Sequence, residues 1–202
     1  MKDLIMQKEV KKKIELNMDN TYVRLAGNLE CDSIVNGPGL RIVVWMQGCP
    51  HKCEGCHNIH THDVNKGKNV LIDDIYKFID NHKEQEGITL SGGDPMMQID
   101  NSLKIATYCK NKNLNVWCYT GYTFEQLISM SKKNNKIMDL LNNIDILVDG
   151  KFELNNLTRT SLYCGSTNQR IIDVKKTIKF NKIHFFNKNI KVEKEYNELV
   201  FI

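Results

Sequence analysis

The 202-residue sequence predicts an α/β fold: a partial (β/α) barrel or open curved, mainly parallel sheet, with its functional groups at the C-terminal ends of the strands. Three observations lead there. Short, nearly continuous apolar runs recur along the chain, as strands buried on both faces require. Between them lie stretches whose apolar positions repeat at helical spacing, and this alternation builds βαβ units with right-handed crossovers. Four or five such units are too few to close an eight-stranded barrel.

Each element follows from its own pattern. Residues 1–20 lack strong periodicity and read as an N-terminal extension ahead of a domain over 21–174. Gly37-Pro38-Gly39 is a tight turn entering the first strand, Ile42–Gln47. Leu71, Ile75, Phe78 and Ile79 put one apolar face on a helix over 71–84. Gly87–Leu90 is the second strand, and Ile99, Leu103 and Ala106 mark a helix over 98–112 that ends at Asn113 and its polar neighbours. Leu114–Tyr119 is the third strand, followed by a helix bearing Phe124, Leu127 and Ile128 and a shorter piece over Ile137–Leu141. Ile144–Val148 and Arg170–Val174 are the fourth and fifth strands. Residues 175–202, with seven Lys against three Glu, form a basic C-terminal extension with a solvated surface.

Composition narrows the function classes. With 41% hydrophobic residues and only 3 Pro and 12 Gly, the chain fits one globular domain. Its longest apolar run is Ile42–Met46, far short of the ~20 residues of a membrane span. The opening MKDLIMQKEVKKKIEL interleaves acids with lysines, unlike a signal peptide or an anchor. The net charge of +4 is modest and only four Arg occur, so no direct nucleic acid binding is expected. Seven cysteines without an export signal point to a reducing, cytoplasmic setting, and their odd number prevents complete pairing.

The chemistry concentrates just after strands. Cys49, Cys53 and Cys56 stand at C-x3-C-x2-C spacing behind the first strand, within reach of one metal centre. A structural zinc site needs four ligands and would have to recruit His57, His60 or His62, which makes a zinc-binding interaction module one alternative. Three thiolates on a four-iron cluster instead leave one iron open to a non-protein ligand, an arrangement suited to chemistry. Behind the second strand, Gly92 and Gly93 permit close backbone approach. Asp94 there is either a clamp for an ammonium group or the N-cap of a strand-to-helix turn. Cys109 and Cys118 sit among apolar residues as small hydrophobes; they, Cys31 and Cys164 are expected not to be ligands.

The cysteine loop resembles that of the radical S-adenosylmethionine enzymes. Val35-Asn36-Gly37-Pro38-Gly39, Gln47-Gly48-Cys49, Ser91-Gly92-Gly93-Asp94-Pro95, Tyr119-Thr120-Gly121-Tyr122, Leu147 through Phe152 and Gly165 through Gln169 extend the resemblance to one subfamily, the anaerobic ribonucleoside-triphosphate reductase activating proteins. It implies that Cys49, Cys53 and Cys56 hold a [4Fe-4S] cluster whose fourth iron is chelated by S-adenosyl-L-methionine, and that reductive cleavage of this cofactor leads to a glycyl radical on the reductase. The implied partners are the glycyl-radical subunit of that reductase and a low-potential electron donor such as flavodoxin. Implied cofactor contacts are His57, Asn58, Gly92, Gly93, Asp94, Thr120, Asp149, Lys151 and Asn168. Asp94 would take the methionyl amino group and Thr120 the ribose or carboxylate; Asp149 and Lys151, opposite charges two residues apart at the end of the fourth strand, are either a surface pair or contacts facing one mouth. Asn168 would meet adenine, ribose or the partner backbone. Two positions depart from the subfamily pattern: His57 stands where an aromatic residue is common, and Cys164 where Arg is expected. Activases of other glycyl-radical enzymes and small-molecule radical enzymes are the nearer alternatives.

Overall fold

A computed structural model describes residues 21–186. In chain order these form β1 (Tyr22–Leu25), β2 (Glu30–Ser33), β3 (Arg41–Met46), β4 (Lys68–Leu71), α1 (Ile72–Asn81), β5 (Gly87–Gly92), α2 (Ile99–Asn111) and β6 (Asn115–Tyr119). They continue with α3 (Phe124–Ser131), α4 (Asn135–Asn142), β7 (Ile146–Asp149), β8 (Arg170–Asp173) and α5 (Val174–Phe180). The sheet runs β4-β1-β3-β5-β6-β7-β8, with β2 also paired to β3.

The centre is parallel, as the βαβ alternation predicts: β3 on β5, β5 on β6, β6 on β7. Both flanks are antiparallel. On one side β1 pairs with β3 and β4, and β2 with β3; on the other, β8 pairs with β7. The first, second and fourth strands escape sequence reading because Tyr22–Leu25, Glu30–Ser33 and Lys68–Leu71 are four residues each and partly exposed, with too little apolar patterning to register. The expected fifth strand is real but reversed. No crossover helix separates it from β7, only a connection over 150–169, so it returns as a neighbour instead of starting another βαβ unit.

Strand alternation divides the core. Ile42, Val44, Met46, Ile88, Leu90, Val116, Cys118 and Leu147 face the helices, where they meet Ile75 and Ile79 of α1, Ile105 and Cys109 of α2, Leu127 of α3 and Leu140 of α4. Trp117, Ile146 and Val148 form a second cluster with Tyr119, Tyr163, Cys164, Ile171 and Phe186. Burial on both faces is why the strands read as unbroken apolar runs. Arg41 is a charged residue buried beside this core, 1% exposed. Its guanidinium donates to Thr89 Oγ1 (2.8 Å), the Ile88 carbonyl (2.6 Å) and Asn115, and lies 5.5 Å from the Trp117 ring centre. Burial lowers its pKa to about 10. The neutral partners supply hydrogen bonds that a buried cation requires.

Helix α3 opens on a capping box: Thr123 Oγ1 accepts from the Gln126 amide and Gln126 Oε1 from the Thr123 amide. The chain continues past 174 as α5, capped by Asp173, burying Val174 and Thr177. The Phe186 amide then bonds back to the Ile171 carbonyl at 2.8 Å. The expected extension over 1–20 and residues 187–202 of the C-terminal extension lie outside the described residues. Among the described residues no helix is long and apolar enough to cross a membrane.

Candidate functional site

The parallel register brings four strand exits together. Met46 lies opposite Gly92, and Tyr119 opposite Val148, so the segments after β3, β5, β6 and β7 emerge at one end of the sheet. The cysteine loop is the segment after β3. Its base is fixed by Gln47, 3% exposed, whose amide donates to the carbonyls of His60 (3.2 Å) and Asp63 (2.7 Å). The Gly48 and Cys49 amides donate to the carbonyls of Thr61 and His62.

The glycines after β5 are required by proximity. A Cβ on Gly93 would lie 2.3 Å from the Gly48 carbonyl oxygen; one on Gly92, at φ +99°, would lie 2.7 Å from the Met46 backbone. The Gly93 amide donates to the Met46 carbonyl (2.7 Å) and the Asp94 amide to that of Gly48 (2.8 Å). The β5 exit is therefore stitched directly to the root of the cysteine loop.

Asp94, 1% exposed, is the hub. Its Oδ1 accepts from the Met96 amide (2.9 Å) and Thr120 Oγ1 (3.1 Å), and its Oδ2 from His51 Nε2 (2.6 Å), Thr120 Oγ1 (2.9 Å) and the Gly121 amide (3.0 Å). The N-cap reading of Asp94 is thus realised. Thr120 is 5% exposed and turned onto this carboxylate.

Asp149 and Lys151 differ in burial and in partners. Asp149 is 0% exposed and accepts from the Phe124 amide at the start of α3 (2.7 Å) and from Arg170 Nε (2.9 Å) and Nη2 (2.5 Å). Arg170 also holds Glu125 at 2.7 Å. Opposite charges two residues apart look alike in sequence, but the strand's end sends Asp149 inward, and Gly150 at φ +96° turns the chain before the exposed Lys151.

The three cysteines are free and partly exposed. Burial pushes the Cys49 thiol up. It does the same to Cys53, partly offset by the Phe152 amide and the Lys151 charge. Cys109 and Cys118, by contrast, are fully buried; burial raises Cys109 to about 12 and Cys118 well above its usual value, the state of inert structural thiols. Cys31 bonds Asp32 on β2, and Cys164 packs in the second cluster. Among the described residues no three His, Cys, Asp or Glu side chains are gathered around a single-ion position. Three soft thiols on one loop suit a thiolate-held iron–sulfur cluster better than a four-ligand zinc site.

Further donors surround the loop. The His57 ring lies 5.5 Å from that of Phe152, and Asn58 donates to the Gly92 carbonyl at 3.4 Å. Asn168 donates to the Lys151 carbonyl at 2.8 Å, while its Oδ1 is buried without a protein partner. An unpaired buried acceptor is costly in isolation and suits a hydroxyl or amino donor from a bound molecule. Two cavities, of about 410 Å³ between α3, α4 and α5 and of about 570 Å³ beside His82 and Lys112, lie away from these residues.

Sequence reading missed His51 and Arg170. His51 carried one available signal, its place between two candidate ligands. Arg170 carried none, because its role depends on β8 pairing back onto β7.

Comparison with known proteins agrees with this donor set. The family described as "4Fe-4S single cluster domain" matches residues 35–172. The anaerobic ribonucleoside-triphosphate reductase-activating protein of Enterobacteria phage T4 is 33% identical over 162 residues, 77% of this chain and 93% of the relative. Those of Escherichia coli K12 and Vibrio cholerae are 36% and 34% identical, covering 67% and 68% of this chain and 90% of each relative. The crystal structure of QueE from Escherichia coli aligns with a TM-score of 0.45 at 14% identity, over 54% of this chain and 56% of that one, a likeness too slight to add to the fold.

Proposed function

The chain belongs to the anaerobic ribonucleoside-triphosphate reductase-activating proteins, and from that premise we propose that it generates a glycyl radical on such a reductase. Cys49, Cys53 and Cys56 would hold a [4Fe-4S] cluster, with S-adenosyl-L-methionine as the second cofactor of the site. When bound, these groups supply the reductive cleavage of the cofactor and the abstraction of a hydrogen from the reductase glycine.

The chain's own residues position and enclose. Cys49, Cys53 and Cys56 present thiols from the loop that follows β3, and on this reading the cluster sits at the C-terminal ends of the parallel strands. Gly92 and Gly93 let the β5 exit pass within contact of that loop, where a side chain would not fit. Asp94 and Thr120 form the wall. Asn168 offers its unpaired Oδ1, Lys151 a cation for a carboxylate, and His57 and Asn58 flank the third cysteine. Asp149 belongs to the scaffold and not to the cofactor contacts, since Arg170 and the Phe124 amide occupy it. The electron comes from a low-potential donor such as flavodoxin, in the cytoplasm.

The observation that carries this reading is the set of three partly exposed thiols on one loop, bonded to the β5 exit directly and to the β6 exit through Asp94, in a chain a third identical to named activators. Anaerobic reconstitution with iron, sulfide and a reductant, followed by S-adenosyl-L-methionine, is expected to yield methionine and 5′-deoxyadenosine. Adding the matched reductase is expected to yield a glycyl-radical signal by electron paramagnetic resonance. Fully loaded protein that cleaves no cofactor would overturn it.

A further inference from the structure

His51 stands between the first two cysteines, with its side chain 6% exposed. Its Nε2–H donates to Asp94 Oδ2 at 2.6 Å. A carboxylate has about four lone-pair sites, and Asp94 fills them with the Met96 and Gly121 amides, the Thr120 hydroxyl and His51. Three of those donors come from the exits of β5 and β6. His51 alone comes from the cysteine loop.

The ring is also seated sterically. It meets Tyr122 edge-on at 4.5 Å between centres, and a Cβ on Gly121 would lie 2.3 Å from its Cδ2. Around it the loop backbone is unusual, with Lys52 at φ +49° and Gly55 at φ +69°. A loop of this kind gains little from regular hydrogen bonding, and holding it in one shape before a ligand arrives removes an ordering cost from binding.

We propose that His51 is a positioning residue that latches the cysteine loop to the β5 and β6 exits through Asp94, so that the thiols are pre-set for the cluster. This rests on the reading of the loop as an iron–sulfur site. Through these bonds the Asp94 carboxylate ties the segments after β3, β5 and β6 together.

The test compares wild type with His51→Phe, which keeps a ring but loses the donor, and His51→Gln, which keeps an N–H able to reach Asp94. In metal-free protein, amides of residues 49–58 are expected to exchange hydrogen at least about tenfold faster in His51→Phe, the lower end for one lost hydrogen bond to a charged group. Exchange inside β5 and β6 should be unchanged. After reconstitution, iron release to a chelator is expected to quicken about tenfold by the same reasoning. The spectral change of the reduced cluster on adding S-adenosyl-L-methionine should also alter. His51→Gln should restore all three. Wild-type exchange and iron release in His51→Phe would overturn the latch. If that variant does not fold, Gly121→Ala displaces the ring from outside the loop and should give the same pattern; wild-type rates there would also overturn it. Failure of the wild type to take up iron would instead count against the cluster reading, while the metal-free exchange comparison would still decide the latch.

Discussion

Replacing Arg170 with alanine strips the Asp149 carboxylate of two of its three donors, at 2.9 and 2.5 Å, and leaves only the Phe124 amide at 2.7 Å. Asp149 is 0% exposed and cannot recover the loss from bulk water unless the structure opens. Breaking a buried pair by removing one partner costs about 3–5 kcal/mol. The Arg170 side chain is 29% exposed, so water can enter where it stood, which favours the lower end. A domain of this size shifts its melting temperature by about 2–4 °C per kcal/mol, so a loss of about 3 kcal/mol means a fall of roughly 6–12 °C. Thermal unfolding of the metal-free protein, followed by circular dichroism, reads this directly. The control is Glu125→Gln, which removes the outer partner. Glu125 is 58% exposed, and a surface pair contributes about 0–1 kcal/mol. Arg170→Ala melting within about 2 °C of wild type, less than 1 kcal/mol by the same scale, would refute the claim that this pair holds β8 against β7 and α3. So would equal losses in the two variants.

Changing Cys49, Cys53 or Cys56 singly to serine should abolish stable cluster loading, measured as iron and sulfide per chain, whereas Cys31→Ser should load as wild type; a fully loaded Cys53→Ser would remove the proposed ligand set. Gly93→Ala must part the β5 exit from the Gly48 carbonyl and should cost about 1–3 kcal/mol, while Gly27→Ala, with nothing within 4 Å, should cost far less; equal melting temperatures would contradict the close approach. Acid stability should carry a contribution from Glu125, whose pKa Arg170 lowers from 4.5 to about 2. Because the folded value is the lower one, that stabilisation is complete above about pH 4.5 and is lost as pH falls towards 2. Its size is reduced by solvent screening at this exposed group. Urea midpoints across that range should therefore fall less steeply in Arg170→Ala than in wild type, and parallel profiles would count against it.

The central βαβ elements were legible because each buries a continuous stripe. Ile42, Val44 and Met46 alternate with Val43 in a strand covered on both sides, and Ile75 and Ile79 repeat at helical spacing on α1. The flanking strands were not: β1 and β4 depend on pairing across a long separation, Tyr22–Leu25 along Lys68–Leu71, and β2 is a short, mostly exposed partner of β3 with no apolar stripe. Helix α5 was hidden by its lysines, which advertise a solvated surface while Val174 and Thr177 turn inward.

The candidate site divides in the same way. The sequence by itself determined the thiol triad, the paired glycines and the acidic residue after β5, because those depend on residue type and local spacing. Only the tertiary structure decided what each charge does. Asp94 follows β5 and Asp149 ends β7, yet one gathers His51, Thr120 and Gly121 and the other Arg170 and the Phe124 amide. Apart from the Met96 amide beside Asp94, these partners lie between 21 and 43 residues away along the chain. A carboxylate's role is set by the donors that surround it in space, and chain topology, which local sequence does not encode, brings those donors in.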